Sequence, residues 1–305
     1  MSKQVLVSVV MITYGHEKHI REAIEGVLMQ KGDFSLELII ANDSSPDATD
    51  IVISEMLKTH SKADRIRYIK HEKNIGMMPN FIFALQQAQG KYIALCDGDD
   101  YWTDPYKLQK QVDFLEANSD YVIHSGVAQI LKENIITEEY IGLENEPKTF
   151  TVEHFYKQNN LVTCTVMFRN IISEFPKDFS KVFFGDWYLY TLLLKKPGLK
   201  AFRSTDVFSI YRIHSLGVMN SLSLRKNYQA HINHIVMLKR LTGYNKFSKD
   251  IIDVLNWYSF EKFKIELEQN KYLQMINTFF YNFYMVKFRV SIKSYLAAIK
   301  NKILK

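Results

Sequence analysis

Apolar and polar positions switch between two periods along the first half of the chain. Val5–Ile12 (VLVSVVMI) is β-branched and apolar almost throughout, the pattern of a strand covered on both faces. In Glu17–Gln30 the apolar residues Ile20, Ala23, Ile24, Val27 and Leu28 recur at helical spacing, which predicts a helix with one buried stripe. Leu36–Ala41 (LELIIA) predicts a second strand, Ala48–His60 a second helix and Ile66–Lys70 a short strand. Asn80–Gln89 predicts a third helix, and Lys91–Cys96 (KYIALC) another buried strand. Strands alternating with helices predict an α/β domain with a mainly parallel sheet and a ligand site at the carboxyl ends of its strands.

Beyond Trp102 the pattern loosens. Pro105–Asn118 predicts a helix, Tyr121–Leu131 one or two strands, and 138–148 a polar loop. Leu161–Arg169 predicts a strand, Trp187–Leu194 a helix, and Val207–Ile213 a last strand. From about Ser223 the chain reads as wholly helical. The expected division is therefore a domain of residues 1–220 followed by a helical region of residues 221–305.

Composition changes this picture little. A chain of 305 residues, 47% hydrophobic and 24% charged, can bury a core of ordinary size and is not disordered. Cys96 and Cys164 form no CxxC pair and read as reduced thiols. The run Val5–Ile12 is too short for a signal sequence, and no apolar stretch is long enough to span a bilayer, so the expected location is the cytoplasm.

The charge of +6 is uneven. From Lys271 onward every charged side chain is basic: Lys271, Lys287, Arg289, Lys293, Lys300, Lys302 and Lys305, interleaved with aromatics. Two readings stand open for the last helix, from about Lys287: packing on the protein, or lying on an anionic membrane surface at the inner face of the cell membrane. The helices before it are expected simply to pack. Nucleic acid is disfavoured as a partner, because the basic residues lie far from the strand ends.

Four polar clusters follow predicted strands. They are Thr13-Tyr14-Gly15-His16, Asn42-Asp43-Ser44-Ser45-Pro46-Asp47, Asn74-Ile75-Gly76 and Asp97-Gly98-Asp99-Asp100. Four such clusters at one edge of a parallel sheet describe a binding site. The three carboxylates of Asp97, Asp99 and Asp100 repel one another unless neutralised, and their hard oxygens suit Mg²⁺ or Mn²⁺. An acidic turn with Asp104 capping the next helix is the alternative. His16 and His19 stand one residue short of the HExxH zinc spacing, and GxGxxG, P-loop and GxSxG motifs are absent.

The segments SVVMITYGHEKHI (8–20), ELIIANDSSPDATDI (37–51), NIGMMPN (74–80), GKYIALCDGDDYWTDPYKLQKQVDFL (90–115), GDW (185–187) and YRIH (211–214) together resemble family 2 glycosyltransferases of the GT-A fold, especially those of bacterial surface-polysaccharide assembly. The resemblance covers about residues 5–215. It implies a GT-A catalytic domain over 1–220 and a metal-dependent, inverting transfer of sugar from a nucleotide-sugar, by default a UDP-sugar, to a saccharide or lipid-linked acceptor. It implies that Thr13, Tyr14, Asp43, Asn74 and Asp97 hold the donor nucleotide, that Asp99 ligates Mn²⁺ or Mg²⁺, and that Arg212 and His214 stand near the pyrophosphate. Asp186 would be the general base, with the Trp187 indole on the acceptor side.

Alternatives remain for several of these residues. Asp186 also reads as the N-cap of a helix beginning at Trp187, a role it can hold together with that of base, and Arg212 and His214 read as polar positions of a strand. A nucleotidyltransferase shares the nucleotide, the metal and a similar fold, but TYGHEKH lacks the glycine expected of a triphosphate loop. A catalytically silent nucleotide-sugar-binding module is the other alternative, against which Asp99 and Asp186 speak.

Overall fold

Val7–Thr13 forms strand β1, buried along its length as its run of apolar residues requires. The structure is a computed structural model that describes residues 6–214, 217, 222–243, 249–285 and 291–303. Val5, expected to begin β1, lies outside the described residues, as do Lys287, Phe288, Arg289 and the expected domain boundary near residue 220.

The further strands are β2 (Leu36–Asn42), β3 (Ile66–Lys70), β4 (Tyr92–Leu95), β5 (Tyr101–Trp102), β6 (Tyr121–Lys132), β7 (Ile135–Ile141), β8 (Lys148–Phe150), β9 (Met167–Arg169) and β10 (Lys200–Ile213). The helices are α1 (Ile20–Leu28), α2 (Thr49–Thr59), α3 (Met77–Gln87), α4 (Lys107–Ala117), α5 (Gly185–Leu194), α6 (Leu224–Thr242), α7 (Lys249–Glu268), α8 (Tyr272–Met285) and α9 (Ile292–Ile303).

The sheet runs β3-β2-β1-β4-β9-β6-β10-β5, with β7 on β6 and β8 on β10. Strands β3, β2, β1 and β4 are mutually parallel, while β9 is antiparallel to both β4 and β6. The sheet's parallel half thus comes from the βαβ segments, in a mixed α/β fold. One face of β1 and β2 (Val7, Val9, Met11, Leu38, Ile40) joins the apolar stripe of α1, Ile53 and Met56 of α2, and Leu108, Val112 and Leu115 of α4 in one core. Helix α3 packs against β1 and β2.

Four elements differ from expectation, each for a physical reason. Helix α3 starts at Met77 rather than Asn80, because Pro79 is tolerated in a first helical turn, where its missing N–H is not needed. The expected loop at 138–148 is partly strand. Glu133 and Asn134 both have positive φ (52° and 63°), the geometry of a tight hairpin turn, and β7 folds back on β6. Most of Leu161–Arg169 is not strand: Thr163–Thr165 coils into a 3₁₀ turn whose Thr165 hydroxyl donates to Val162 O (2.7 Å), leaving only β9. Strand β10 starts at Lys200, its period-2 pattern hidden by register shifts against β6 between Arg203 and Val207 and between Val207 and Ser209.

The chain divides into two compact units, Met1–Phe155 with Asn159–His214, and Tyr156–Gln158 with Ser215–Lys305. In the second unit α7 packs against α6, α8 and α9, around Phe263, Leu267, Met275 and Tyr295. Among the described residues no helix is long and apolar enough to cross a membrane.

Candidate active site

The register of β1 against β2 sets Thr13 beside Asn42, and Asp43 N–H donates to Thr13 O (3.0 Å). Gly98 N–H donates to Ile12 O (3.0 Å), so the turn leaving β4 lies against the end of β1. Three of the four polar clusters therefore meet at one sheet edge, as parallel strands dictate.

The two loops that follow β1 and β2 are clasped to each other. Glu17 N–H donates to Asp47 Oδ2 (3.0 Å), and Ala48 N–H donates back to Glu17 Oε2 (2.9 Å). His16 N–H donates to Thr49 Oγ1 (2.9 Å), and Gly15 N–H to Ser45 Oγ (3.1 Å). This clasp holds Tyr14 with its ring half exposed, while Thr13 is buried with its hydroxyl 3.2 Å from His16 Nδ1.

Asp43 is buried, and its carboxylate accepts Ile75 N–H on Oδ1 (2.7 Å) and Gly76 N–H on Oδ2 (2.9 Å). The third cluster is thereby tied to the second. Gly76 sits at φ 93°, a conformation that favours glycine, and exposed Asn74 caps it, its Oδ1 accepting the same N–H (3.0 Å). Asp43 thereby holds the loop that carries Asn74.

The acidic turn is stapled by the end of β10. Arg212 N–H donates to Asp100 Oδ1 (2.8 Å), and Arg212 Nε donates to Asp99 O (2.9 Å). The same guanidinium pairs with Glu22 Oε2 of α1 (2.6 Å) and lies over the Tyr101 ring. Arg212 is thus a buried clamp on the turn. His214 Nε2 lies 3.1 Å from Asp99 Oδ2, and His16 Nε2 lies 3.8 Å from the same oxygen. His19 packs against His214, ring centroids 5.3 Å apart.

Crowding of the three acids is relieved by titration. Burial, then the charges of Asp99 and Asp186, push Asp97 up to about 8. Burial and the Asp99 charge push Asp100 well above the carboxylate range. Burial also works against Asp99, but the His214 hydrogen bond and the His16 ring outweigh it and hold that carboxylate low. These shifts favour the charged form most at Asp99, the acid facing two imidazoles.

Gly98 is required by this packing. A Cβ there would stand 2.8 Å from Thr13 Oγ1 and 2.9 Å from His16 Nδ1. Gly98→Ala is expected to destabilise the protein by about 1–3 kcal/mol through overpacking. A thermal or urea melt indistinguishable from the parent would contradict this packing.

Asp186 lies in the first turn of α5, whose N-cap is Phe184, so its carboxylate is not the cap that the alternative reading required. Its Oδ2 accepts Asn159 Nδ2 (2.7 Å) and the Thr163 hydroxyl (2.8 Å). Burial raises its pKa against those hydrogen bonds. Its charge is felt at Asp97, which brings the fifth candidate segment to the acidic turn. Trp187 requires a correction. Its indole is 2% exposed, donates Nε1–H to Phe155 O (2.6 Å) and packs against Phe184, so it offers no open face to a sugar.

With this geometry in place, the comparisons are decisive on family. The Glycosyl transferase family 2 profile matches residues 8–175, more than half of the chain.

The chain belongs to glycosyl transferase family 2.

Mycobacterium tuberculosis Rv1520 is 32% identical over 216 residues, 70% of this chain; the chain spans only 60% of that relative's length. The Escherichia coli UDP-Glc:alpha-D-GlcNAc-diphosphoundecaprenol beta-1,3-glucosyltransferase WfaP is 30% identical over 211 residues, 69% of this chain and 78% of WfaP. The structure of Staphylococcus aureus TarS residues 1–349 in complex with UDP-GlcNAc superposes with a TM-score of 0.62 at 17% identity, covering 90% of this chain and 79% of that one. The fold is thus GT-A, with helices following it.

Sequence reasoning missed several residues that build the site of this family 2 chain. Glu22, Asn159 and Thr163 act as partners of Arg212 and Asp186, and the Glu17–Asp47 clasp orients Tyr14. Only the clasp had a legible signal, an acid at each end of two short loops that must lie side by side. Glu22 looks like any exposed acid of a first helical turn.

Proposed function

We propose that the protein transfers a sugar from a nucleotide-sugar, a UDP-sugar by preference, to a hydroxyl of a saccharide or lipid-linked acceptor in cell-surface polysaccharide assembly, with inversion. The observation that carries this reading is the gathering of Asp99, bonded by His214, and Asp186, held by Asn159 and Thr163, around the acidic turn after β4. One group suits cations and phosphates; the other suits a proton. WfaP supports the acceptor class, and TarS with UDP-GlcNAc supports the donor class. The catalytic domain is read as about residues 1–220, ahead of the helical region.

The donor set fits a divalent cation. Asp99 supplies a carboxylate and His214 an imidazole nitrogen close to the same point, a mixture that suits Mn²⁺ as well as Mg²⁺. Among the described residues no three His, Cys, Asp or Glu side chains form a cage. A cation that completes its shell with donor phosphates and water needs only one or two protein ligands. When bound, it would neutralise charge developing on the nucleoside diphosphate.

The chain's own residues do the rest. The Tyr14 ring offers a stacking face for the nucleobase, and the Asp43-held loop brings Asn74 beside it. Thr13 lines the floor, and Asp97, protonated near neutrality, can donate to a ribose oxygen. Arg212 keeps the acidic turn in register for these contacts. Asp186, oriented by Asn159 and Thr163, takes the acceptor proton as the hydroxyl oxygen attacks the anomeric carbon from the face opposite the leaving group. A single base with no second nucleophile fits one displacement and inversion.

The test is a screen of purified protein against nucleotide sugars with and without Mn²⁺, reading release of nucleoside diphosphate. No release from any donor in the presence of acceptor lipid would sink the reading, and formation of nucleoside triphosphate only when pyrophosphate is added would favour a nucleotidyltransferase.

Asp43→Ala is expected to raise the KM for donor and leave kcat largely intact, because the loop it holds touches a nucleoside that does not change during reaction. Steady-state kinetics check this. A large fall in kcat at saturating donor, with KM unchanged, would contradict the placement.

A further inference from the structure

Helix α8 is built inside out. Its buried positions are Met275, Thr278 and Asn282, two of them polar. Thr278 Oγ1 donates to Glu266 Oε2 of α7 (2.7 Å) and accepts Lys262 Nζ–H (2.6 Å). Asn282 Nδ2 donates to Asn256 Oδ1 (2.9 Å). Arg225 of α6 stands 3.5 Å from Glu266 and completes an ionic centre.

Most outward positions of α8 are apolar, Gln274 and Asn277 being polar exceptions. Leu273 is 80% exposed, Phe280 61% and Tyr284 78%, with Ile276 exposed between them. Spaced i, i+3, i+7 and i+11, they form one stripe, with Tyr272 and Tyr281 beside it. A helix facing water carries the opposite arrangement, apolar side in and polar side out. The 14-residue helix holds no charged residue. Beyond it, α9 turns Ile292, Leu296 and Ile303 outward among exposed Lys293 and Lys300. No acidic residue occurs from Lys271 to Lys305.

We propose that the outward stripe of α8 lies in the interfacial layer of an anionic lipid bilayer, with the lysines of α9 at the headgroups. The sequence leaves the last helix open between packing and lipid and predicts plain packing for those before it; the exposed apolar side chains place the main contact on α8. A helix of 14 residues spans about 21 Å, short of a hydrocarbon core of about 30 Å, so it lies along the surface. Tyrosine rings suit that depth, apolar in the body and polar at the tip. A second copy of the chain is the rival occupant, but the segment from Lys271 onward is basic and carries no acid, a charge that suits anionic lipid better than a like-charged copy. Resting on the acceptor class proposed above, the surface is where a lipid-linked acceptor would be met.

The experiment uses the full chain with sucrose-loaded vesicles, either pure phosphatidylcholine or half phosphatidylglycerol. The parent is expected to sediment with the anionic vesicles, more weakly at high salt. The triple variant Leu273→Ser, Phe280→Ser, Tyr284→Ser should partition at least about tenfold less, since each residue loses apolar surface that would leave water. Its melting temperature should fall only modestly, because the replaced side chains are largely exposed, although Phe280→Ser removes a ring contact with Phe279. Lys293→Glu with Lys300→Glu should weaken binding to anionic vesicles only. Equal partitioning by parent and triple variant would overturn the assignment. So would a parent that ignores vesicles and forms a concentration-dependent dimer that the triple variant dissolves. Vesicle binding is read without any sugar transfer, so a protein inactive on every nucleotide sugar would sink the transferase reading and leave the lipid result standing.

Discussion

Asp186→Asn is expected to fold and bind donor like the parent, yet lose about two to four orders of magnitude in transfer, the usual worth of a positioned base. The amide keeps the shape of the carboxyl and can still meet Asn159 or Thr163, but it cannot take a proton. Burial raises the pKa of Asp186, so its basic form is lost as pH falls through a point above the ordinary carboxylate range. The parent's kcat should therefore show an acid limb displaced upward from about 4, and the residual activity of the variant should lack it. Transfer assays across pH, with donor affinity measured by calorimetry, check both parts. Near-normal transfer by a well-folded variant would remove Asp186 from the mechanism.

Chelation should reduce transfer to background, with Mn²⁺ or Mg²⁺ restoring it, and Asp99→Asn should cost about a hundredfold or more at any metal concentration. Asp99 is the acid of its turn whose pKa is lowered, and the imidazoles of His214 and His16 approach its Oδ2. Removing that charge leaves Asp97 and Asp100, both pushed towards the neutral form, to face the donor's phosphates. Calorimetric titration of Mn²⁺ into the parent and into Asp99→Asn in the presence of nucleoside diphosphate separates lost metal binding from lost chemistry. Full turnover in excess chelator would sink the metal assignment.

The βαβ half of the fold was legible because burial there follows simple periods. β1 and β4 are apolar runs covered on both faces, and α1 buries the five residues that helical spacing selects. The second half was less legible because polar contacts, not periods, shape it. Thr163 and Thr165 use their hydroxyls to coil a segment that reads as strand, and bulges scramble β10. The site followed the same rule. That polar clusters gather at strand ends follows from parallel topology; what each residue bonds there does not. Trp187 reads as a sugar platform in one dimension and is core in three. Lys107 is the sharpest case: it is fully buried, donates Nζ–H to Gln111 Oε1 (2.7 Å), lies 4.0 Å above the Trp102 ring and is brought down to about 7 by burial. No spacing argument puts a lysine inside.

The clamp on the acidic turn has a consequence in time. Asp100 is held by a residue 112 positions later, and that residue's guanidinium is anchored to a glutamate 190 positions earlier. At a synthesis rate of about 5–20 residues per second, Arg212 follows Asp100 out of the ribosome by roughly 6–22 seconds. During that interval β1, β2, β3 and β4 can already pair, while the turn they carry still lacks its closing strand. Parallel pairing of β6 with β10 across so long a loop is intrinsically slow. The growing chain can thus hold its parallel strands paired while the acidic turn is still unlatched, and the turn is closed only when the last strand of the sheet has been made.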